Sequence, residues 1–300
     1  MPPRITNRFS LPQPVVNAVS EFREWKHGEI SITQLLAAPQ RAYLERTYWH
    51  ELEVDASDRL FILDGLADHY VLQHAADENT FAEERLSVSL DGWTITGQAD
   101  LVEGSLAVLD EHKLTDYKRT SIWAALSDKP EWHGQVNGYV YLWESNGFIV
   151  TEAEIFARLR DWTKARANGG NYPPIAAMTI PVLLWGHEIQ EEFLRDRLHV
   201  HQATWQDGYV PPPCTPEERW RRATTYALIR GGNRRATKVC DTLAEADAWR
   251  SGQDKPSEYR IEQRRGASVR CEDGYCDVAR WCPQFQMMRQ ERDDADQGTY

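Results

Sequence analysis

The residues best placed to do chemistry in this 300-residue chain are Asp100, Asp116 and Lys118, with fifteen residues between the two aspartates. Two carboxylates near the ends of neighbouring strands can hold a divalent cation through oxygen, as Mg²⁺ prefers. A lysine two residues beyond the second carboxylate lies on the same strand face, because strand side chains alternate with period two. Its ammonium would meet the phosphate or water that such a metal holds, and the intervening Tyr117 would point into the core. Glu111-His112-Lys113 offers the same acid-x-Lys spacing in a competing register. There the intervening residue is His112, a poor core residue in a more polar stretch, so alternation favours Asp116/Lys118.

Two further groups join them. His69, in Gly65-Leu66-Ala67-Asp68-His69, falls late on an apolar-striped segment, where an imidazole could be a third ligand or a structural histidine. Gln135 and Tyr139 share a helix face at i, i+4. They could hydrogen-bond a nucleic-acid backbone or pack beside Trp132 and Tyr141.

Local elements must position these groups. Ser31-Ile32-Thr33-Gln34 has capping-box spacing and predicts a helix whose stripe includes Leu35, Leu36, Tyr43 and Leu44. Leu60, Ile62, Leu63, Leu66, Ala67, Tyr70 and Val71 recur with helical period over about 57–74. The period then changes. Leu86–Leu90 and Trp93–Thr96 flank Asp91-Gly92 as a hairpin, and Leu101-Val102, Leu106–Leu109 and Leu114–Tyr117 continue as strands. Helices over 131–144 and 188–206, with strands over 153–159 and 180–184, make the class α/β. Residues 1–30 read as an irregular arm, 31–206 as the core, and 207–300 as an accessory region beyond the stiff Asp207–Pro213 stretch. In that region a helix from Glu217, a strand over 237–240 and a helix over 243–249 precede the cysteines, and a polar tail follows Pro283.

With 41% hydrophobic and 27% charged residues the chain is not mostly disordered. No apolar run approaches the ~18 residues of a membrane span and no apolar leader opens the chain, which predicts a soluble, cytoplasmic protein without a membrane partner. The net charge of −12 argues against general polyanion binding, but it is uneven. Residues 51–85 hold ten Asp/Glu against Arg59 and Arg85, and residues 217–238 hold seven Lys/Arg against Glu217 and Glu218. An acidic zone and a basic patch suit a metal-dependent enzyme on nucleic acid, with Arg221, Arg222 and Arg234 on the DNA approach; two solvated faces are the alternative. Five cysteines without a leader do not make a disulfide framework.

Taken in order, Ser31…Pro39, Gly65…His69, Gly97-x-x-Asp100, Asp116-x-Lys118 and Gln135-x-x-x-Tyr139 resemble the RecB-like branch of the PD-(D/E)XK nucleases, over roughly residues 30–145. The nearest likeness is to stand-alone phage or prophage exonucleases. The resemblance implies a restriction-endonuclease-like mixed sheet flanked by helices, followed by a small cysteine-containing region. It also implies that His69, Asp100, Asp116 and the Tyr117 backbone carbonyl coordinate Mg²⁺ or Mn²⁺, with Glu83 as an outer or second-metal acid. Lys118 would orient or deprotonate the attacking water, and Gln135 and Tyr139 would position DNA. The implied activity is a deoxyribonuclease, an exonuclease of recombination or replication in a bacterial or phage-infected cell, working with a single-strand annealing or recombination protein. A nicking or structure-selective endonuclease, or a non-catalytic DNA-binding accessory protein, are the alternatives. Cys271…Cys276…Cys282-Pro283 resembles the C-terminal cysteines of iron–sulfur relatives, whose first cysteine precedes a proline in the N-terminal motif. Here Ala38 stands before Pro39, so Cys240 or Cys214 would have to complete a Cys₄ site for [4Fe–4S] or zinc; packed thiols are the other reading.

Overall fold

The computed structural model describes residues 2–104, 111–127, 129–167, 169 and 172–297, so the strand expected at Leu106–Leu109 lies outside the described residues. The chain divides into two compact units, Met1–Pro211 and Pro212–Tyr300. Among the described residues no helix is long and apolar enough to cross a membrane.

The first unit opens with β1 (Arg4–Thr6) and α1 (Gln13–Ala18), and β1 pairs in parallel with β3 (Glu53–Asp55). The expected irregular arm is therefore partly ordered, because Val16 and Val19 are buried against Ala56, with Ile62 and Leu63 beside them. β2 (Glu29–Ser31) runs into α2 (Ile32–Leu35), and both halves of the Ser31/Gln34 capping box form. The helix expected to continue through Tyr43 breaks. Pro39 starts a separate α3 (Pro39–Thr47), since its ring cannot continue α2 but suits a first turn.

After α4 (Phe61–Ala75) come β4 (Thr80–Ala82), β5 (Arg85–Leu90), β6 (Trp93–Gln98), β7 (Leu101–Glu103) and β8 (His112–Thr120). α5 (Ile122–Ala125) and α6 (Pro130–Ser145) then carry the chain to β9 (Val150–Leu159), β10 (Ala177–Pro181) and α7 (His187–Ala203). The main sheet has the order β10-β9-β8-β7-β4, with β8 and β9 parallel and its other pairs antiparallel. A parallel pair needs a helical crossover, and α5 and α6 supply it. A second sheet, β2-β6-β5, contains the expected hairpin. Asp91 (φ 44°) and Gly92 (φ 79°) are both left-handed, the geometry of a two-residue primed turn. The core lies between these sheets, α6 and α7, and includes Ile32, Ile95, Leu114, Leu142, Trp143 and Leu194.

α4 departs from its sequence pattern. None of its residues is buried, and Leu66, Tyr70 and Val71 of the apolar stripe are exposed. Ile62 and Leu63 at its start pack half-buried on Val16, Val19 and Ala56, and ion pairs tether the rest, Asp64 with Arg119 of β8 and Asp68 with Arg158 of β9.

The second unit holds β11 (Arg221–Arg222), β12 (Thr225–Arg230), β13 (Lys238–Cys240), α8 (Leu243–Ser251), β14 (Tyr259–Arg264), β15 (Ala267–Ser268), α9 (Val269–Glu272) and α10 (Pro283–Gln297). β12 is central to β13 and β14, and α8 covers the group through Ala246. Two expectations fail here. Glu217–Trp220 forms turns rather than a helix, and the supposed polar tail is α10, with Pro283 at its first position and good helix formers behind it.

Candidate active site

The site gathers where the chain passes between the two sheets of the first unit. β4 belongs to the main sheet and β5 to the second, and Glu83 makes that turn in the left-handed region (φ 60°). β6 and β7 make the return passage, with Asp100 just before β7. Glu83 and Asp100 thus stand at the two roots of the β5–β6 hairpin, and the Glu83 N–H donates to the Asp100 carbonyl (3.2 Å). Gly97 on the return strand must be small: a Cβ there would lie 2.5 Å from Leu142 Cδ1 of α6.

His69 of α4 reaches this seam. Its Nδ1 lies 2.6 Å from Glu83 Oε1 and 3.4 Å from Asp100 Oδ1, and donor atoms of His69, Glu83 and Asp100 all fall within 4.8 Å of one another. Gln98 donates to the other Glu83 oxygen. The Tyr117 N–H donates to Asp100 Oδ2 (2.6 Å). Burial, and then the Asp116 carboxylate, push the Asp100 carboxyl up to about 7 against that hydrogen bond. Asp116 is 1% exposed, and its Oδ2 faces Lys118 Nζ at 2.7 Å without an aligned hydrogen bond. Carboxylate oxygens of Glu83 and Asp100 with an imidazole nitrogen among them form a donor set that fits a divalent cation.

Lys118 Nζ also donates to Gln135 Oε1 (3.1 Å), and Gln135 Nε2 donates to the Tyr139 hydroxyl (2.9 Å). Tyr139 is buried, and burial holds its phenol above the usual tyrosine range. Gln135 and Tyr139 therefore form a relay that fixes the lysine at the pocket wall. Lys113, the competing lysine, pairs with Glu154 (2.7 Å). His112 is nonetheless fully buried among Phe81, Trp143 and Phe148, although its Nε2 finds no hydrogen-bond partner there. Tyr117 corrects another expectation. It is half-buried, stacks on Phe156 and donates its hydroxyl to Asp68 Oδ2 (2.7 Å), under α4 rather than in the core.

His69, Glu83, Asp100, Asp116, Tyr117, Lys118, Gln135 and Tyr139 line one pocket of about 300 Å³, and Arg23 and Arg85 line it too. Sequence reasoning missed both arginines. Arg23 lies in the stretch read as an arm, where no periodicity marks it.

In the second unit the basic patch is thinner than its sequence. Arg219 is buried and donates to Cys214 O, Thr215 O and Ser268 Oγ, and Arg230 pairs with Glu258. Arg221, Arg222 and Arg234 are exposed. Of the cysteines, Cys240 packs with Leu228 and Ala246, in a separate apolar group. Cys214 lies instead beside the segment that carries the C-terminal cysteines. The Gln284 side chain clamps the Cys214 backbone, accepting from its N–H (2.9 Å) and donating to its carbonyl (3.0 Å), two residues beyond Cys282. The Arg270 N–H, next to Cys271, donates to Arg219 O, and the Trp220 ring meets Tyr275, next to Cys276. Burial, then Glu218, Cys282, Cys276 and Cys271, push the Cys214 thiol up to about 12; burial and then Cys276 and Cys282 push Cys271 up to about 11. Ala38 is a buried N-cap of α3.

No curated protein matches the chain. Among solved structures, the crystal structure of SSO0001 is similar at 17% identity and a TM-score of 0.41, over 63% of this chain and 82% of that one. The model of the PD-(D/E)XK nuclease superfamily matches residues 15–283, most of both units, and so the chain belongs to that superfamily of metal-dependent, phosphodiester-hydrolysing enzymes.

Proposed function

We propose that this chain is a Mg²⁺- or Mn²⁺-dependent deoxyribonuclease of the RecB-like branch, an exonuclease acting in recombination or replication. The observation that carries the reading is the meeting of His69, Glu83, Asp100, Asp116 and Lys118 in one pocket. His69, Asp100, Asp116 and the Tyr117 carbonyl hold the cation, with Glu83 as the outer acid. When bound, that cation supplies Lewis-acid charge at the scissile phosphate and makes water acidic enough to act near neutral pH. Lys118 orients the attacking water and offsets charge on the phosphate, and Gln135 and Tyr139 hold the ammonium for that work. The Tyr117 N–H keeps Asp100 turned toward the pocket. Exposed Arg221, Arg222 and Arg234 contact DNA phosphates, so reversing all three flattens the salt dependence of binding.

Cys214, Cys271, Cys276 and Cys282 form a thiolate site for [4Fe–4S] or zinc, supported by the Gln284 clamp on Cys214 and by the other three cysteines acting on the Cys214 thiol. An absorbance scan of anaerobically purified protein with metal analysis tests this, and a colourless protein without iron or zinc overturns it. The single strands that the exonuclease leaves pass to an annealing or recombination protein in the cytoplasm.

Labelled linear and closed circular DNA, incubated with Mg²⁺, Mn²⁺ or EDTA, tests the main reading. Shortening of linear ends with intact circles supports it. Cut circles assign a nicking or structure-selective endonuclease instead, and binding without cleavage assigns an accessory protein.

A further inference from the structure

Arg219 carries a charge that the second unit encloses without an acid to meet it. The residue is 8% exposed, and its guanidinium reaches three segments of the chain. Its Nε donates to the Cys214 carbonyl (3.2 Å) and the Thr215 carbonyl (3.3 Å). Its Nη1 donates to Ser268 Oγ (2.9 Å) and touches Met288 Sδ (3.1 Å). Ser268 precedes α9, which carries Cys271, and Met288 lies on α10, which starts directly after Cys282. The segment of the remaining cysteine is reached through the next residue, Trp220, whose ring meets Tyr275 beside Cys276.

All four partners of the guanidinium are neutral, and among the described residues no carboxylate forms an ion pair with it. Glu272 and Glu291 share a pocket with Arg219, but Glu291 is exposed. Glu272 is already held by Arg292 Nη1 (2.7 Å) and the Ser268 N–H (2.7 Å). An enclosed charge with only neutral partners is costly unless an anion comes to it. Four thiolates outweigh the charge of Zn²⁺ or of an iron–sulfur core, so a loaded Cys₄ site is such an anion. Burial and the thiols of Cys276 and Cys282 raise the Cys271 thiol, and the Arg219 and Arg270 charges oppose them.

We propose that Arg219 is the counter-charge of the cysteine site: one buried guanidinium draws the cysteine-bearing segments together and offsets the negative charge of the metal-loaded thiolates. This rests on the reading of Cys214, Cys271, Cys276 and Cys282 as one metal site, and it names a positioning residue outside the ligand set. Metal and guanidinium are then linked, each favouring the form of the unit in which the other is satisfied. A staple made only of neutral hydrogen bonds would be indifferent to the metal, and that is the alternative role for Arg219.

The test uses the full chain and its Arg219→Gln and Arg219→Lys variants, stripped of metal anaerobically, with Arg260→Gln as an exposed cation control. Each is titrated with Co²⁺, whose visible absorption reports tetrahedral thiolate coordination, and then with Zn²⁺ in competition. Thermal unfolding is followed with and without Zn²⁺. Arg219→Gln should weaken Zn²⁺ binding by about tenfold or more, the usual loss for a partner just outside a ligand set. Arg219→Lys, which keeps the charge, should recover most of it, and Arg260→Gln should bind as the unmodified chain does. The rise in unfolding midpoint on adding Zn²⁺ should shrink in Arg219→Gln and return in Arg219→Lys. A neutral staple would instead lower both midpoints alike. Zn²⁺ affinity in Arg219→Gln within about twofold of the unmodified chain overturns the proposal and leaves the cysteine reading standing. Should Arg219→Gln not fold, Arg219→Lys decides alone: affinity near that of the unmodified chain supports the charge, and a loss of about tenfold overturns it. An unmodified chain that takes up no Co²⁺, Zn²⁺ or iron overturns the cysteine reading itself, and the counter-charge with it.

Discussion

α6 and α4 both bring side chains to the same pocket, yet they are held in opposite ways. Nine residues of α6 are buried, and Asn137, fully enclosed, donates to the Leu183 carbonyl and accepts from the Trp185 N–H (2.8 Å). α4 fully buries none of its residues; Ile62 and Leu63 pack half-buried at its start, and carboxylate–arginine pairs hold the part beyond. The lysine relay therefore rests on close packing, whereas the imidazole rests on a tethered helix. Packed scaffolds fix geometry to fractions of an ångström, whereas exposed ion pairs contribute little stability and leave an element free to open locally.

The largest expected effect falls on the packed half. Lys118→Ala should lower the cleavage rate on the order of 10²- to 10³-fold with DNA binding retained, because its charge acts in the transition state. Lys113→Ala should stay within a few-fold. Exchanged phenotypes in single-turnover assays would reassign the lysine.

Next comes acid sensitivity, which the packed side should set. His201 of α7 is 2% exposed and its Nε2 contacts the Leu35 carbonyl (3.0 Å). Burial, and then the Arg197 charge, lower its pKa from 6.5 to about 4. As pH falls through that window the unfolded chain takes up a proton that the folded chain refuses. The contribution is therefore complete above pH 6.5 and is lost toward pH 4, about 3 kcal/mol in all. Urea unfolding at pH 7.5 and 4 should show a smaller pH dependence for His201→Gln; an unchanged one would place the acid sensitivity elsewhere.

Gly97→Ala should cost about 1–3 kcal/mol, because the added methyl meets Leu142 and Tyr139 on a helix that cannot yield. A denaturation midpoint equal to that of the unmodified chain would show that α6 gives way more easily than its burial implies.

The smallest global effect belongs to α4. Asp68→Asn should change unfolding free energy by less than about 1 kcal/mol, while amide exchange across α4 accelerates. Protection of α4 equal to that of α6 would remove the distinction between the two helices.

Much of the site was legible because its signals are local. Period-two alternation placed Asp116 and Lys118 on one face, Asp91-Gly92 specified the hairpin, and Ser31/Gln34 specified a cap. What was not legible depends on partners distant in the chain. Helical period marked α4 but could not say whether Leu66, Tyr70 and Val71 would meet a neighbour. The sequence left Cys240 and Cys214 both open as a fourth cysteine, and the hold of Gln284 on Cys214, seventy residues away, could not be read from it. Arg23 owes its place to what holds Phe22 and Trp25. Polarity concealed α10, although Pro283 at a first helical position was a usable sign.

The left-handed backbone at Glu83 sets two kinds of selection against each other. A side chain in that conformation costs about 1–2 kcal/mol that glycine avoids. Chains screened for thermal resistance alone would drift toward glycine or asparagine at position 83, shedding the carboxylate with the strain. Chains screened for turnover would keep the acid and tolerate the weaker backbone. A library passed through both screens should therefore split at this one position, an activity–stability trade-off written into a single dihedral angle.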